Sequence, residues 1–256
     1  MKVYCCQLDI AWENKPENFK NVRALLATTR PDPGSLVFLP EMFSTGFSMN
    51  VAAISEQAAP GAVQFIRDLA QENSVTIIAG IVNQTPDGKG LNEAIVISPE
   101  GRELTRYTKI HPFTFGKELE HYNRGTSIHS FEWNTLKVAP FICYDLRFPE
   151  IFRSAVRQGA EMYVVIANWP NKREQHWVTL LQARAIENLA YVIGVNRAGA
   201  DPKLVYPGRS LIIDPHGNIL ADAGPSEKII SAEINPEVVR CWRQDFPALK
   251  DIHWRA

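Results

Sequence analysis

Short apolar runs alternate with stretches of helical periodicity at the start of the chain, and this alternation is what most limits the fold. Residues 2–10 read as a central strand. Asn14 with Pro16 then marks a helix start, and Phe19, Val22, Leu25 and Leu26 recur at the spacing of one buried helical face. The breaker cluster 30–34 ends that helix, and 35–39 is an apolar run suited to a strand buried on both faces. A second amphipathic helix over 62–72, carrying Val63, Ile66, Leu69 and Ala70 on one face, and a strand over 75–82 complete a β-α-β-α-β order. That order layers helices on a sheet, so the expected class is α/β.

Residues 91–98 and 103–108 read as a strand pair around the turn 99–102, ending at Lys109. From 110 to 125 periodicity disappears and His111, Phe113, Phe115, Glu118, Glu120, His121 and Tyr122 crowd together, which suits an ordered, functional loop. A hairpin of 128–133 with 136–142 delivers the chain to Cys143. A helix from Phe148, a strand over 162–167, a helix over 174–188 and strands over 191–195, 209–213, 219–221 and 228–234 follow. Asn235-Pro236 opens a last helix with proline at its first position. The aromatic tail after it, with Trp242, Phe246, His253 and Trp254, is expected to pack on the body or on a second subunit. With no linker or internal repeat, residues 1–256 are expected to form one domain.

Lys and Arg total 27 against 28 Asp and Glu, a formal net charge of −1 that gives no electrostatic basis for a nucleic-acid or membrane-surface partner. No run approaches the roughly 18 apolar residues of a membrane helix, and Met1-Lys2 leads straight into a strand, so a cytoplasmic location is expected. The four cysteines, Cys5, Cys6, Cys143 and Cys241, lack paired zinc or redox spacing, and no metal is expected. Cys5 and Cys6 are adjacent on a strand, so they point to opposite faces and read as core fillers.

Three chemically capable residues share one kind of position. Glu41, Lys109 and Cys143 each follow a strand directly, and in layered α/β proteins ligands bind beyond the carboxyl ends of strands. A thiol needs a base to become a better nucleophile, a carboxylate can serve, and a nearby cation favours the thiolate and stabilises an oxyanion. Free N–H groups in the turn after Cys143 add partial positive charge. Each residue alone has a plainer reading, Cys143 as a small core residue and Glu41 as a solvated charge. His111, His121 or His176 could replace the carboxylate as base, but none stands at a strand end.

The segments LPEMF (39–43), YTKIHPF (107–113) and ICYDLRFPE (142–150) resemble, in order, the three signature segments of the nitrilase superfamily of carbon–nitrogen hydrolases. The resemblance runs across nearly the whole chain and implies a four-layer α-β-β-α sandwich and no cofactor. It implies Cys143 as nucleophile, Glu41 as general base and then acid, Lys109 as the cation on the tetrahedral intermediate, and the Tyr144 N–H as a second oxyanion donor. A second glutamate of the family falls at Glu118, with Glu120 as competitor. Pro112 stands where the family usually has leucine, which puts the local path of that loop in question. PEMFSTGFSM (40–49), ANWPNKREQHW (167–177) and ARAIENLAYVIGVNRAG (183–199) are similar to the omega-amidase branch, which implies hydrolysis of the distal amide of 2-oxoglutaramate or 2-oxosuccinamate and a homodimer. Another amidase or an N-carbamoyl amino acid hydrolase is the nearest alternative, and a non-catalytic binding protein on the same scaffold the remote one.

Phe43, Phe47, Phe115 and Trp169 are expected to line a substrate pocket, and Arg173, with Lys172 beside it, to receive a substrate carboxylate. Arg147 with Glu150 reads as a structural ion pair at a helix start, Asp145 as that helix's cap, Arg184 with Glu187 as a second pair and His176 as structural.

Overall fold

The structure is a computed structural model that describes residues 1–253; Trp254 of the expected tail lies outside the described residues. The strands are β1 (Lys2–Gln7), β2 (Leu36–Phe38), β3 (Thr76–Gln84), β4 (Gly90–Ile97), β5 (Glu103–Thr108), β6 (Phe131–Trp133), β7 (Leu136–Ile142), β8 (Met162–Ala167), β9 (Tyr191–Asn196), β10 (Leu211–Ile213), β11 (Ile219–Asp222) and β12 (Lys228–Glu233). The helices are α1 (Lys15–Thr29), α2 (Val51–Ile54), α3 (Ala62–Asn73), α4 (Glu118–His121), α5 (Pro149–Arg157), α6 (Glu174–Asn188) and α7 (Pro236–Asp245).

Two six-stranded sheets result, in the orders β12-β1-β2-β3-β4-β5 and β11-β10-β9-β8-β7-β6. From β12, the first sheet pairs antiparallel, parallel, parallel, antiparallel, antiparallel. From β6, the second repeats that pattern. The halves are thus alike in backbone although no sequence repeat announces it.

Strand alternation sorts the side chains into layers. Val3, Cys5, Leu36, Phe38, Ile78 and Val96 of the first sheet join Trp133, Val138 and Phe141 of the second in one apolar core. On the other face of the first sheet, Tyr4, Cys6, Val37 and Ile77 pack with Val22 and Leu26 of α1 and Ile66 and Leu69 of α3. The helices α5 and α6 cover the second sheet through Phe152, Ala155, Trp177 and Leu181. This is the four-layer α-β-β-α sandwich, and adjacent Cys5 and Cys6 fall on opposite sides of the first sheet.

Local signals explain the element ends. Asn14 caps α1 by accepting from the Glu17 N–H, with proline in the first turn, and Asn235 caps α7 in the same way from Glu237. The expected strands 128–133 and 209–213 shorten to β6 and β10, and the four-residue α2 carries too little periodicity to be read. The loop 110–125 is ordered by a 3-10 turn, Thr114–Gly116, and by α4. From α7, Arg243 donates to the carbonyls of Leu189 and Ala160, at 2.9 and 2.8 Å, which fixes that helix to the body. No helix among the described residues is long and apolar enough to cross a membrane.

Candidate active site

After β2 the chain turns sharply at Met42, whose φ of 45° lies in the left-handed region. The turn passes over Gly80 of β3 so closely that a Cβ there would stand 2.5 Å from Glu41 Cα. Glycine is therefore required at Gly80 by the approach of another backbone. The turn holds the Glu41 carboxylate fully buried. Its Oε1 accepts from Asn92 Nδ2 at 2.7 Å and from Lys109 Nζ at 2.9 Å, and its Oε2 from the Asn168 backbone N–H at 2.8 Å.

Lys109, the residue after β5, is equally buried, and its ammonium also donates to both oxygens of Glu118, at 3.1 and 2.9 Å. It lies 5.2 Å from the centroid of the Phe47 ring. Asn92 on β4 completes the set by donating the same Nδ2 to Glu118 Oε1 at 2.9 Å. Burial alone pulls the ammonium down, but the carboxylates of Glu118 and Glu41 hold it well above its ordinary value. Burial raises Glu118, against the lowering effect of Lys109. Of the two candidate glutamates Glu118 is the one inside, while Glu120 is exposed beside Lys117.

Cys143 opens a 3-10 turn, Cys143–Arg147, that intervenes between β7 and α5. Its φ of 48° is unusual for a residue with a side chain and costs about 1–2 kcal/mol. Asp145 compensates inside the turn, though not as the expected helix cap. Its buried carboxylate accepts from the Ile142 N–H at 3.1 Å, the Tyr107 hydroxyl at 2.7 Å and the His111 N–H at 2.9 Å. Asp145 therefore ties the lysine segment to the cysteine turn. Arg184 of α6 pairs with Glu187 at 2.8 Å and also donates to the Leu146 carbonyl at 2.8 Å. Burial, then the charge of Glu41, raises the Cys143 thiol well above its ordinary value, so the resting sulfur is the neutral thiol.

Cys143 faces a narrow, partly enclosed cavity with Phe47, Phe113, Tyr144, Arg147, Asn168, Trp169, Pro170, Arg173 and Leu204 around it. The structure thus brings Phe47, Trp169 and Arg173 to the cavity, as their neighbours in sequence suggest. It excludes the other two aromatic candidates. Phe43 is fully buried on the helical side of the first sheet, 6.1 Å from Phe19 and 6.0 Å from Phe65, because the left-handed turn at Met42 sends the next side chain away from the cavity. Phe115 is 87% exposed on its 3-10 turn, and Phe113 takes the lining position. Glu118 accepts from the Phe113 N–H, and Gly116 leaves room for the Phe113 ring.

The expected Arg147–Glu150 pair is likewise absent. The extended Phe148 interrupts the helix between them, so the i,i+3 relation fails, and Arg147 turns to the cavity. Its guanidinium lies 4.9 Å from the Trp169 ring and 3.1 Å from His176 Nδ1. Lys172 is exposed and is not among the residues around the cavity. Sequence reasoning missed Asn92 and Asn168. The first interrupts an apolar strand with a polar residue, and the second ends a buried strand as Glu41 does, and these were the available signals.

Comparisons with known proteins show the family. The carbon–nitrogen hydrolase family profile matches residues 2–244. The chain is 36% identical to omega-amidase YafV of Yersinia enterocolitica over 98% of its length and 96% of the relative's. It is 33% identical to the 2-oxoglutaramate amidase of Bacillus subtilis (strain 168), with the same coverage of both chains. Among solved structures, XC1258 from Xanthomonas campestris, a CN-hydrolase superfamily protein with an arsenic adduct in its active site, superimposes with a TM-score of 0.91 at 32% identity, covering 100% of this chain and 98% of that one.

Proposed function

The chain belongs to the carbon–nitrogen hydrolase family, and on that premise we propose that it hydrolyses the distal amide of 2-oxo acid monoamides, 2-oxoglutaramate and 2-oxosuccinamate, to the 2-oxo dicarboxylic acid and ammonia. The observation that carries the substrate class is the pair of guanidiniums at the cavity. Arg147 and Arg173 both line it beside Cys143, and neither has a carboxylate partner among the described residues. Burial, then the charge of Arg173, lowers Arg147 from its ordinary value. Two cations that repel across an apolar cavity favour an anionic ligand, and the substrate's carboxylate supplies it.

The chemistry assigned to the buried groups is covalent. Glu41 takes the Cys143 proton, sulfur bonds to the amide carbonyl carbon, and Lys109 with the Tyr144 N–H stabilises the oxyanion. Collapse breaks the C–N bond, Glu41 returns the proton to the leaving nitrogen, and ammonia departs from a thioester. Glu41 then deprotonates a water that Glu118 helps to position, the hydroxide bonds to the thioester carbonyl carbon, the C–S bond breaks, and the proton held by Glu41 returns to sulfur, freeing the acid and restoring the thiol. Asn92 and Lys109 together keep Glu41 and Glu118 in place through both halves. The reading extends to a homodimer, which light scattering of the purified protein tests, and to a cytoplasmic location, which cell fractionation tests.

The deciding experiment measures ammonia release from 2-oxosuccinamate, 2-oxoglutaramate, simple aliphatic amides, N-carbamoyl amino acids and nitriles. The 2-oxo acid amides are expected to have the highest kcat/KM. Equal or better turnover of any other class rejects the assignment.

A further inference from the structure

Asn168 has a hydrogen-bonding oxygen with nothing to bond. The residue directly follows β8, is 4% exposed and lines the cavity with Cys143. Its Nδ2 donates to the Glu41 backbone carbonyl at 2.7 Å and approaches Glu41 Oε2 at 3.4 Å. Exchanging the amide's oxygen and nitrogen would press Oδ1 against two acceptors, so these contacts fix which way the side chain points. Oδ1 is left buried and without a partner. Nearly all buried polar groups are satisfied, and an acceptor left open beside a reactive thiol calls for a donor that arrives from outside.

We propose that Asn168 Oδ1 accepts a hydrogen bond from the –NH2 of the scissile carboxamide, so that this residue recognises an amide in preference to an ester or acid. The inference rests on the amidase reading and adds the group that reads the leaving nitrogen. The Asn168 backbone N–H already holds Glu41 Oε2 at 2.8 Å. A nitrogen bonded to Oδ1 of the same residue therefore sits next to the carboxylate oxygen that must protonate it. An ester offers the same carbonyl to Cys143 but no N–H to Oδ1.

The test compares 2-oxosuccinamate with the methyl ester of the same distal carboxyl group. In Asn168→Ala, kcat/KM for the amide is expected to fall about tenfold further than kcat/KM for the ester, the factor that one hydrogen bond supplies. Equal losses mean that Asn168 acts only through Glu41, and they overturn the proposal while leaving the amidase reading intact. Wild-type protein that releases no ammonia from the amide rejects both. A crystal structure of Cys143→Ala with bound 2-oxosuccinamate decides the point without an Asn168 variant. The substrate nitrogen is expected within about 3.2 Å of Oδ1; a nitrogen directed elsewhere overturns the assignment.

Discussion

The Tyr107 hydroxyl donates to the Asp145 carboxylate at 2.7 Å, bridging the strand that leads to Lys109 and the turn that carries Cys143. The two residues stand 38 positions apart, Tyr107 on the first sheet and Asp145 in the 3-10 turn that follows β7 of the second. Removing the hydroxyl in Tyr107→Phe leaves a fully buried carboxylate short of one donor, a deficit of about 1–3 kcal/mol. Urea unfolding is expected to show that loss, with kcat lowered about tenfold as the lysine and the cysteine turn lose register. An unchanged unfolding midpoint would show that the bond contributes nothing.

Gly80→Ala tests the close approach under Glu41. The new methyl group meets backbone atoms at 2.5 Å, and neither strand nor turn can yield cheaply, so a destabilisation of about 1–3 kcal/mol is expected. Activity falls further than stability because the carboxylate moves. Gly88→Ala, in open space on a distant turn, serves as the control; its φ of 84° makes it strained, yet kcat stays at the wild-type value.

Asn92→Asp places a third carboxylate where one amide nitrogen now serves Glu41 and Glu118. Like charges this close repel, and the two carboxylates lose the Nδ2 donor they share, so their arrangement around Lys109 is disturbed. Ammonia release is expected to fall by a factor of about 10²–10⁴, the usual worth of general acid–base catalysis. Asn92→Asp with wild-type kcat between pH 6 and 8 would remove Asn92 from the machinery.

Alkaline stability follows from the thiols. The folded Cys143 thiol is raised well above its ordinary 9.0, chiefly by burial and then by Glu41, so its stabilising contribution is complete below that pH and is lost as pH rises above it. Cys5 and Cys6 are raised in the same sense by burial. Each group steepens the decline by at most about 1.4 kcal/mol per pH unit. Cys143→Ala is therefore expected to flatten the fall of Tm above pH 9 without abolishing it, and a steeper fall would contradict the sign.

Arg173→Ala separates carboxylate recognition from chemistry. With 2-oxosuccinamate the KM is expected to rise about 10–100-fold, the range of a lost charge-assisted bond, while a neutral aliphatic amide shows little change. Equal effects on both substrates would place Arg173 in the wall only. The Arg147→Ala variant is expected to behave alike but to lose packing on Trp169 as well.

The positions of Glu41, Lys109 and Cys143 were legible because each follows a strand, the first and last after apolar runs and Lys109 after the second arm of a hairpin, patterns that survive without tertiary information. The α/β layering was legible for the same reason. Directions of side chains after a turn were not. Phe43 follows a left-handed Met42, which no local spacing reveals, and it points into the helical layer. Phe113 and Phe115 differ in fate because a glutamate five residues beyond the first holds its N–H. Arg147 was misread because a helical i,i+3 spacing was assumed across Phe148, where the backbone is extended. The duplicated sheet pattern was hidden because strand pairing leaves no fixed residue signature once both faces are buried.

That duplication also divides the candidate site between the two halves of the sandwich. Glu41, Asn92 and Lys109 hang from the sheet made largely by the first 108 residues, and Cys143 and Asn168 from the other. Neither half contains both Cys143 and Glu41. Until the two sheets close face to face, the thiol has neither the buried carboxylate nor the lysine beside it, and it is solvent exclusion on docking that raises it. The site is therefore a property of the closed sandwich and of neither half alone.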